Sequence, residues 1–206
     1  MEIKDKIIQG ATEQFMLYGV KSVTMDDIAN ALGMSKRTIY EHFTNKKELL
    51  TDVVDHVHQK QNLKERQIEE ESETIIDEFF YLFTSLDDRY QRLGKFAFEL
   101  GKFYPEIYEA KYHAQHQESI ERLKKRMQKG ITQGVILPEL NLELTAYMIL
   151  EMSYNVITHR KRIIQMRIPI TKAFRYTIVL LLRGFSTEKG IAIIDERAKN
   201  WLINDR

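Results

Sequence analysis

Breakers are the scarcest feature of this chain, and their scarcity constrains its fold more than any other property. Its 206 residues include only three prolines and nine glycines. Between them, apolar residues recur three and four apart over long stretches. A sheet protein would need turn residues every eight to twelve positions or so, and the chain does not supply them. The expectation is therefore an all-α protein. Zero cysteines exclude a disulfide framework and any thiolate metal site. The N-terminus, MEIKDKIIQG, interleaves charges with apolar residues and lacks the basic-then-apolar layout of a signal peptide. Apolar runs such as Ile178 to Leu182 are too short to span a bilayer, so the chain is expected to be soluble and cytoplasmic.

The periodicity divides the chain into segments. Ile3, Ile7, Ala11 and Phe15 fall every four positions and define one buried helix face, which Gly19 ends. Asn45 caps a longer helix, with Glu48 at its third position and Leu49, Leu50, Val53, Val54 and Val57 as its apolar face. The acidic stretch from Asn62 to Glu73 is then expected to be a helix end or a short linker. A second bundle starts near Ser72 with Ile75, Ile76, Phe79 and Phe80, and Asp87 opens the next helix. Pro105 is expected to open a short helix, followed by a separate polar one over about 114–133. Asn141 and Pro169 precede two helices that are apolar nearly all round, and Thr187 caps a last amphipathic one. The expected domains are 1–47, a connecting helix over 48–71, and 72–206.

One stretch does more than fill a core. From Thr24 to Lys47 the sequence TMDDIANALGMSKRTIYEHFTNKK has the layout of a helix-turn-helix. Thr24 and Asp27 make a capping box, Gly33 supplies the turn, and Ser35 caps the second helix. Ile39 and Phe43 face inward. Outward remain Lys36, Arg37, Thr38, Tyr40 and His42, a donor-rich set suited to phosphates and base edges. Between Ser35 and Lys47 four cations (Lys36, Arg37, Lys46, Lys47) face one acid (Glu41), in a chain whose formal net charge is only +1. Any contact with a polyanion must come from such a local patch. The alternative for this stretch taken alone is a plain helical hairpin with no role at DNA.

The order T-M-D-D-I-A-x-A-L-G-M-S-K-R-T-I-Y-E-H-F-x-N-K-K-E-L-L, from Thr24 to Leu50, resembles the DNA-binding segment of the TetR family of transcriptional repressors. The resemblance starts in the preceding helix at Tyr18-Gly19 and covers about the first quarter of the chain. It implies an N-terminal three-helix DNA-binding domain followed by a larger C-terminal helical bundle for ligand binding and dimerisation. It also implies that Lys36, Arg37 and Thr38 face the major groove, and that Thr24, Tyr40, His42 and Lys46 or Lys47 hold phosphates. Many relatives carry a small residue where this chain has Arg37. A regulator of this kind binds a palindromic operator as a homodimer and is released by a small-molecule effector. It needs no cofactor and no catalytic centre.

Three further residue sets are candidates for function. The helices over about 142–160 and 169–185 are the material for a dimer interface, with Leu150, Tyr154, Ile157, Phe174, Ile178 and Leu181 as its expected residues. Phe96, Glu99, Phe103, Tyr104, Tyr108, Tyr147, Tyr154 and Asn155 are candidates to line an effector pocket, although aromatic stripes at helical spacing also serve as core. Glu109, His113 and His116 share one helix face and form the rival reading, a helical metal-binding protein or enzyme. The paired Glu-x-x-His motifs of a di-iron bundle are absent.

Overall fold

The computed structural model describes the backbone of residues 2–84, 87–158 and 161–203, and within these every side chain except those of 83, 84, 87–91, 112, 113, 154, 157, 158, 161, 162 and 200–203. Among the described residues there are eleven helices. They are α1 (Ile3–Tyr18), α2 (Met25–Leu32), α3 (Lys36–His42), α4 (Lys46–Glu71), α5 (Ile75–Thr84), α6 (Asp87–Phe103), α7 (Pro105–Thr132), α8 (Leu142–Thr158), α9 (Lys161–Gln165), α10 (Ile170–Phe185) and α11 (Glu188–Ile203). The expected all-α class holds. None of the described helices is long and apolar enough to cross a membrane.

One of these helices departs from the expected segmentation. Of the two alternatives for the acidic stretch, the helix end is the one found, because α4 runs through it to Glu71. Charge by itself does not break a helix, and neither proline nor glycine stands in that stretch. The departure is at Pro105, which opens one helix of 28 residues rather than a short one. Proline at the first helical position loses a donor that would be unpaired anyway, and nothing before Thr132 stops the helix it starts. The short α9 was not foreseen.

Packing separates the chain into two compact units, one formed by 1–64 with 91–115 and the other by 65–90 with 116–206. In the first, Ile7, Ala11 and Phe15 of α1 share a core with Ile28, Ala29, Ile39, Phe43, Leu49, Leu50 and Val53. Phe96, Leu100 and Ile107 belong to the same core. Burying side chains such as Phe15 and Phe43 contributes about 1.5–3 kcal/mol each.

The second unit is built round Ile75, Phe79, Met127, Ile136, Ile149, Phe174, Ile178 and Ile194. Thr74 and Asp77 form a capping box at the start of α5, and Asp77 also accepts from Arg197 of α11 at 2.8 Å. Among the described residues of this unit, one acid has no exposed surface. Glu78 pairs with Lys129 at 2.7 Å and lies 3.3 Å from Arg126, and burial pushes its carboxyl above the ordinary range. The loop after α7 is stitched to the loop after α10: Leu137 donates to Phe185 at 3.0 Å, Thr187 donates to Val135 at 3.1 Å, and the Thr187 hydroxyl donates to Gly134 at 2.8 Å.

Candidate nucleic-acid interface

The helix-turn-helix forms as its residues require. The Thr24 hydroxyl accepts from Asp27 N–H at 3.2 Å, and the Asp27 carboxylate accepts from Thr24 N–H at 2.8 Å, so two otherwise orphaned donors at the start of α2 are satisfied. The Thr24 hydroxyl also donates to the Asp27 carboxylate, at 2.7 Å, and this bond, with that from Thr24 N–H, holds the carboxyl below the usual range. Gly33 takes the left-handed conformation, with φ 62° and ψ 27°, and Met34 N–H returns to Ala29 O at 2.9 Å to close the turn. Ser35 Oγ accepts from Thr38 N–H at 3.0 Å and starts α3. Ile39 and Phe43 are fully buried, which fixes the phase of α3 and leaves Lys36, Arg37 and Tyr40 exposed, with Thr38 and His42 half-buried. The capping-box pattern expected at Asn45 is modified. Asn45 Oδ1 accepts from Glu48 N–H at 3.0 Å, but the Glu48 carboxylate reaches Thr44 N–H, at 2.8 Å.

The cations on this face are already engaged by carboxylates. Lys36 pairs with Asp26 of α2 at 2.8 Å, and this partner raises the lysine's affinity for its proton. Arg37 Nε donates to Glu41 at 2.9 Å, four residues on in α3. Lys47 pairs with Glu106 of α7 at 2.8 Å, and its hydrogen bond holds the Glu106 carboxyl below the usual range. With Asp26 and Glu106 counted, the local excess of three positive charges falls to one. Glu41 was open to detection in the sequence from its i,i+4 spacing. Asp26 and Glu106 are brought in by packing and carry no local signal.

Lys46 behaves differently from Lys47. Its ammonium is turned inward to the Val20 carbonyl oxygen at 2.5 Å, with the Phe15 ring 5.6 Å and the Tyr104 ring 6.0 Å away. Burial lowers its pKa. Here it serves the junction between α1 and α2 rather than the outward face.

Of the expected pocket residues, Phe96, Glu99, Phe103, Tyr104 and Tyr108 belong to the first unit and Tyr147, Tyr154 and Asn155 to the second. Phe96 is buried in the core of the first unit, with Tyr104 and Tyr108 packed against that core. Glu99 accepts from Lys21 N–H at 3.2 Å, and Phe103 carries the ammonium groups of Lys21 and Lys102, each 5.3 Å from its ring. Tyr147 is exposed and stands edge-on to His116, while Asn155 donates to Glu151 O within α8. Tyr154 lies outside the described side chains.

For the expected interface, Phe174 and Ile178 are 4% and 1% exposed and belong to the core of the second unit, with Leu150 and Leu181 packed against it. Ile157 lies outside the described side chains. Among the described residues, the large apolar side chains that face out are Leu144, Tyr147, Met148 and Met152 on α8 and Tyr176 and Leu180 on α10. Of the rival metal set, His113 is outside the described side chains, and His116 Nε2 lies 3.2 Å from Glu151. Among the described residues no group of three potential ligands converges.

Comparisons with known proteins point the same way. Residues 7–53 match the family model described as bacterial regulatory proteins, tetR family. The HTH-type transcriptional regulator TtgR of Pseudomonas putida is 36% identical over 72 residues, which are 35% of this chain and 34% of that protein. The match therefore spans about a third of that relative's length. The biofilm operon icaADBC HTH-type negative transcriptional regulator IcaR of Staphylococcus epidermidis is 30% identical over 52% of this chain and 51% of its own. Among solved structures, a transcriptional regulator from Cytophaga hutchinsonii superposes with a TM-score of 0.73 at 17% identity, covering 89% of this chain and 98% of that one. That last likeness is one of fold.

Proposed function

We propose that this chain, whose residues 7–53 match the tetR family model, is a transcriptional repressor of that family that binds a palindromic operator as a homodimer. The observation that carries the proposal is the frame set by Thr24, Gly33 and Ser35, which turns Lys36, Arg37, Thr38 and Tyr40 outward from a helix anchored by Ile39 and Phe43. Lys36, Arg37 and Thr38 read base edges. Thr24, Tyr40, His42 and Lys47 hold phosphates and set the register. The protein works by binding and has no catalytic role.

A single reading helix makes too few contacts for specific binding, so two copies must engage half-sites about one helical turn apart or a multiple of it. The outward stripe of Leu144, Met148 and Met152 on α8, beside Tyr176 and Leu180 on α10, is the surface that a second copy covers. An effector that prefers one of two arrangements of the second unit shifts the dimer away from its operator. The domain division of 1–47, 48–71 and 72–206 is the functional counterpart of this scheme.

Selection of bound duplexes from a random pool tests the proposal. The expected outcome is enrichment of an inverted repeat, with affinity falling steeply as salt rises. A pool that stays unenriched after repeated rounds at low salt would overturn it.

A further inference from the structure

Arg37 is 88% exposed and its partner Glu41 is 56% exposed, so neither side chain is held by packing. What restrains the guanidinium is one bond, from Nε to Glu41 Oε1 at 2.9 Å. Both terminal nitrogens are left without a partner among the described residues. A guanidinium held at Nε projects its two terminal amino groups away from the holder as a planar fork, and that fork matches O6 and N7 of guanine. The same carboxylate offsets the charge that would otherwise draw Arg37 to a phosphate. Lys36 offers no equivalent, because an ammonium paired with Asp26 is a point charge with no fork to aim.

We propose that Glu41 is a specificity-determining residue that acts by positioning: it holds Arg37 as a fork for a base edge and keeps it off the phosphates. The proposal rests on the DNA-binding function argued above. In water an exposed pair of this kind is weak. When a duplex covers the reading helix, water leaves and the same pair strengthens, so its effect belongs to the complex.

The test is duplex selection, followed by affinity measurements across a salt series, for the wild type, Glu41→Ala, Glu41→Gln, Arg37→Ala and the double variant Arg37→Ala/Glu41→Ala. In wild type one position of each half-site should prefer guanine. Glu41→Ala should lose about tenfold of that preference. It should also bind unselected duplex more tightly, because a carboxylate has left the phosphate-facing surface. Glu41→Gln should keep the base preference, since its amide oxygen still accepts from Nε, while sharing the gain on unselected duplex. Arg37→Ala and the double variant should select alike. Two results overturn the proposal while leaving the DNA-binding function intact. One is Glu41→Ala with wild-type base preferences, which reduces Glu41 to a charge. The other is a change of preference on adding Glu41→Ala to Arg37→Ala, which makes Glu41 a reader of bases in its own right. A wild type that selects no sequence overturns the function and this role together.

Discussion

Lys46 donates to the carbonyl oxygen of Val20 at 2.5 Å, and so spends its charge on the turn that leads into α2. Burial lowers its pKa below the ordinary 10.5. Between the lowered value and 10.5 the unfolded chain binds the proton more strongly than the folded one, so the free energy of unfolding rises with pH across that alkaline window. Lys46→Met should abolish this slope, as read from urea midpoints of both proteins over an alkaline pH series. The same variant should leave the salt dependence of DNA binding unchanged. A reduced salt dependence would mean that Lys46 swings out to a phosphate in the complex.

Lys47→Ala, by contrast, removes a cation on the outward side. It should weaken all duplexes alike and lower the salt slope by about one. Arg37→Ala should relax preference at one position of each half-site, a loss of roughly 1–3 kcal/mol of discrimination. Selection profiles of the two variants, compared at one salt concentration, separate these roles.

Gly19 and Gly33 both have positive φ, 93° and 62°, yet they should not respond alike to alanine. At Gly33 nothing lies within 4 Å of an added Cβ, so only the left-handed backbone costs, about 1–2 kcal/mol. At Gly19 the added Cβ would stand 2.7 Å from the Glu99 carboxylate, and ψ is 153°, a region open to little but glycine. Glu99 can swing aside, but the backbone cannot, so Gly19→Ala should cost more, up to about 3 kcal/mol. Thermal unfolding of the two variants checks the order, and equal midpoints would contradict it.

Substitution on α10 should distinguish core from outward face. Ile178→Glu places a charge in the core of the second unit and should unfold the protomer. Leu180→Glu, at a position 54% exposed, should leave helicity intact but yield a monomer by sedimentation. A Leu180→Glu protein that stays dimeric would remove this face from the interface.

The same helix marks the limit of what could be read in advance. The fold class, the helix-turn-helix and its caps were legible because Thr24, Gly33 and Ser35 each act on neighbours a few positions away. α10 was recognisable as a helix but not in its phase. A stretch apolar on every side leaves Phe174 and Tyr176 equally eligible for the core, and only the packing of α10 in the second unit decides that Phe174 goes in. Lys46 and Lys47 were indistinguishable for the same reason, since Tyr104 and Glu106, which separate their roles, come from a distant part of the chain. The aromatic residues from Phe96 to Tyr108 were legible as packing material. Their membership of the first unit was not, because nothing in their own spacing names the helices they meet.

Gly134 and Thr187 are joined although they stand 53 positions apart. With Leu137 and Phe185 bonded beside them, α8, α9 and α10 leave from and return to a single root. The cost of closing such an excursion grows only with the logarithm of its length, about 0.6 kcal/mol for each doubling. Residues can thus be added to or removed from the connections between α8 and α10 without unthreading α7 or α11, so this excursion can change size as a cassette while its root stays shut.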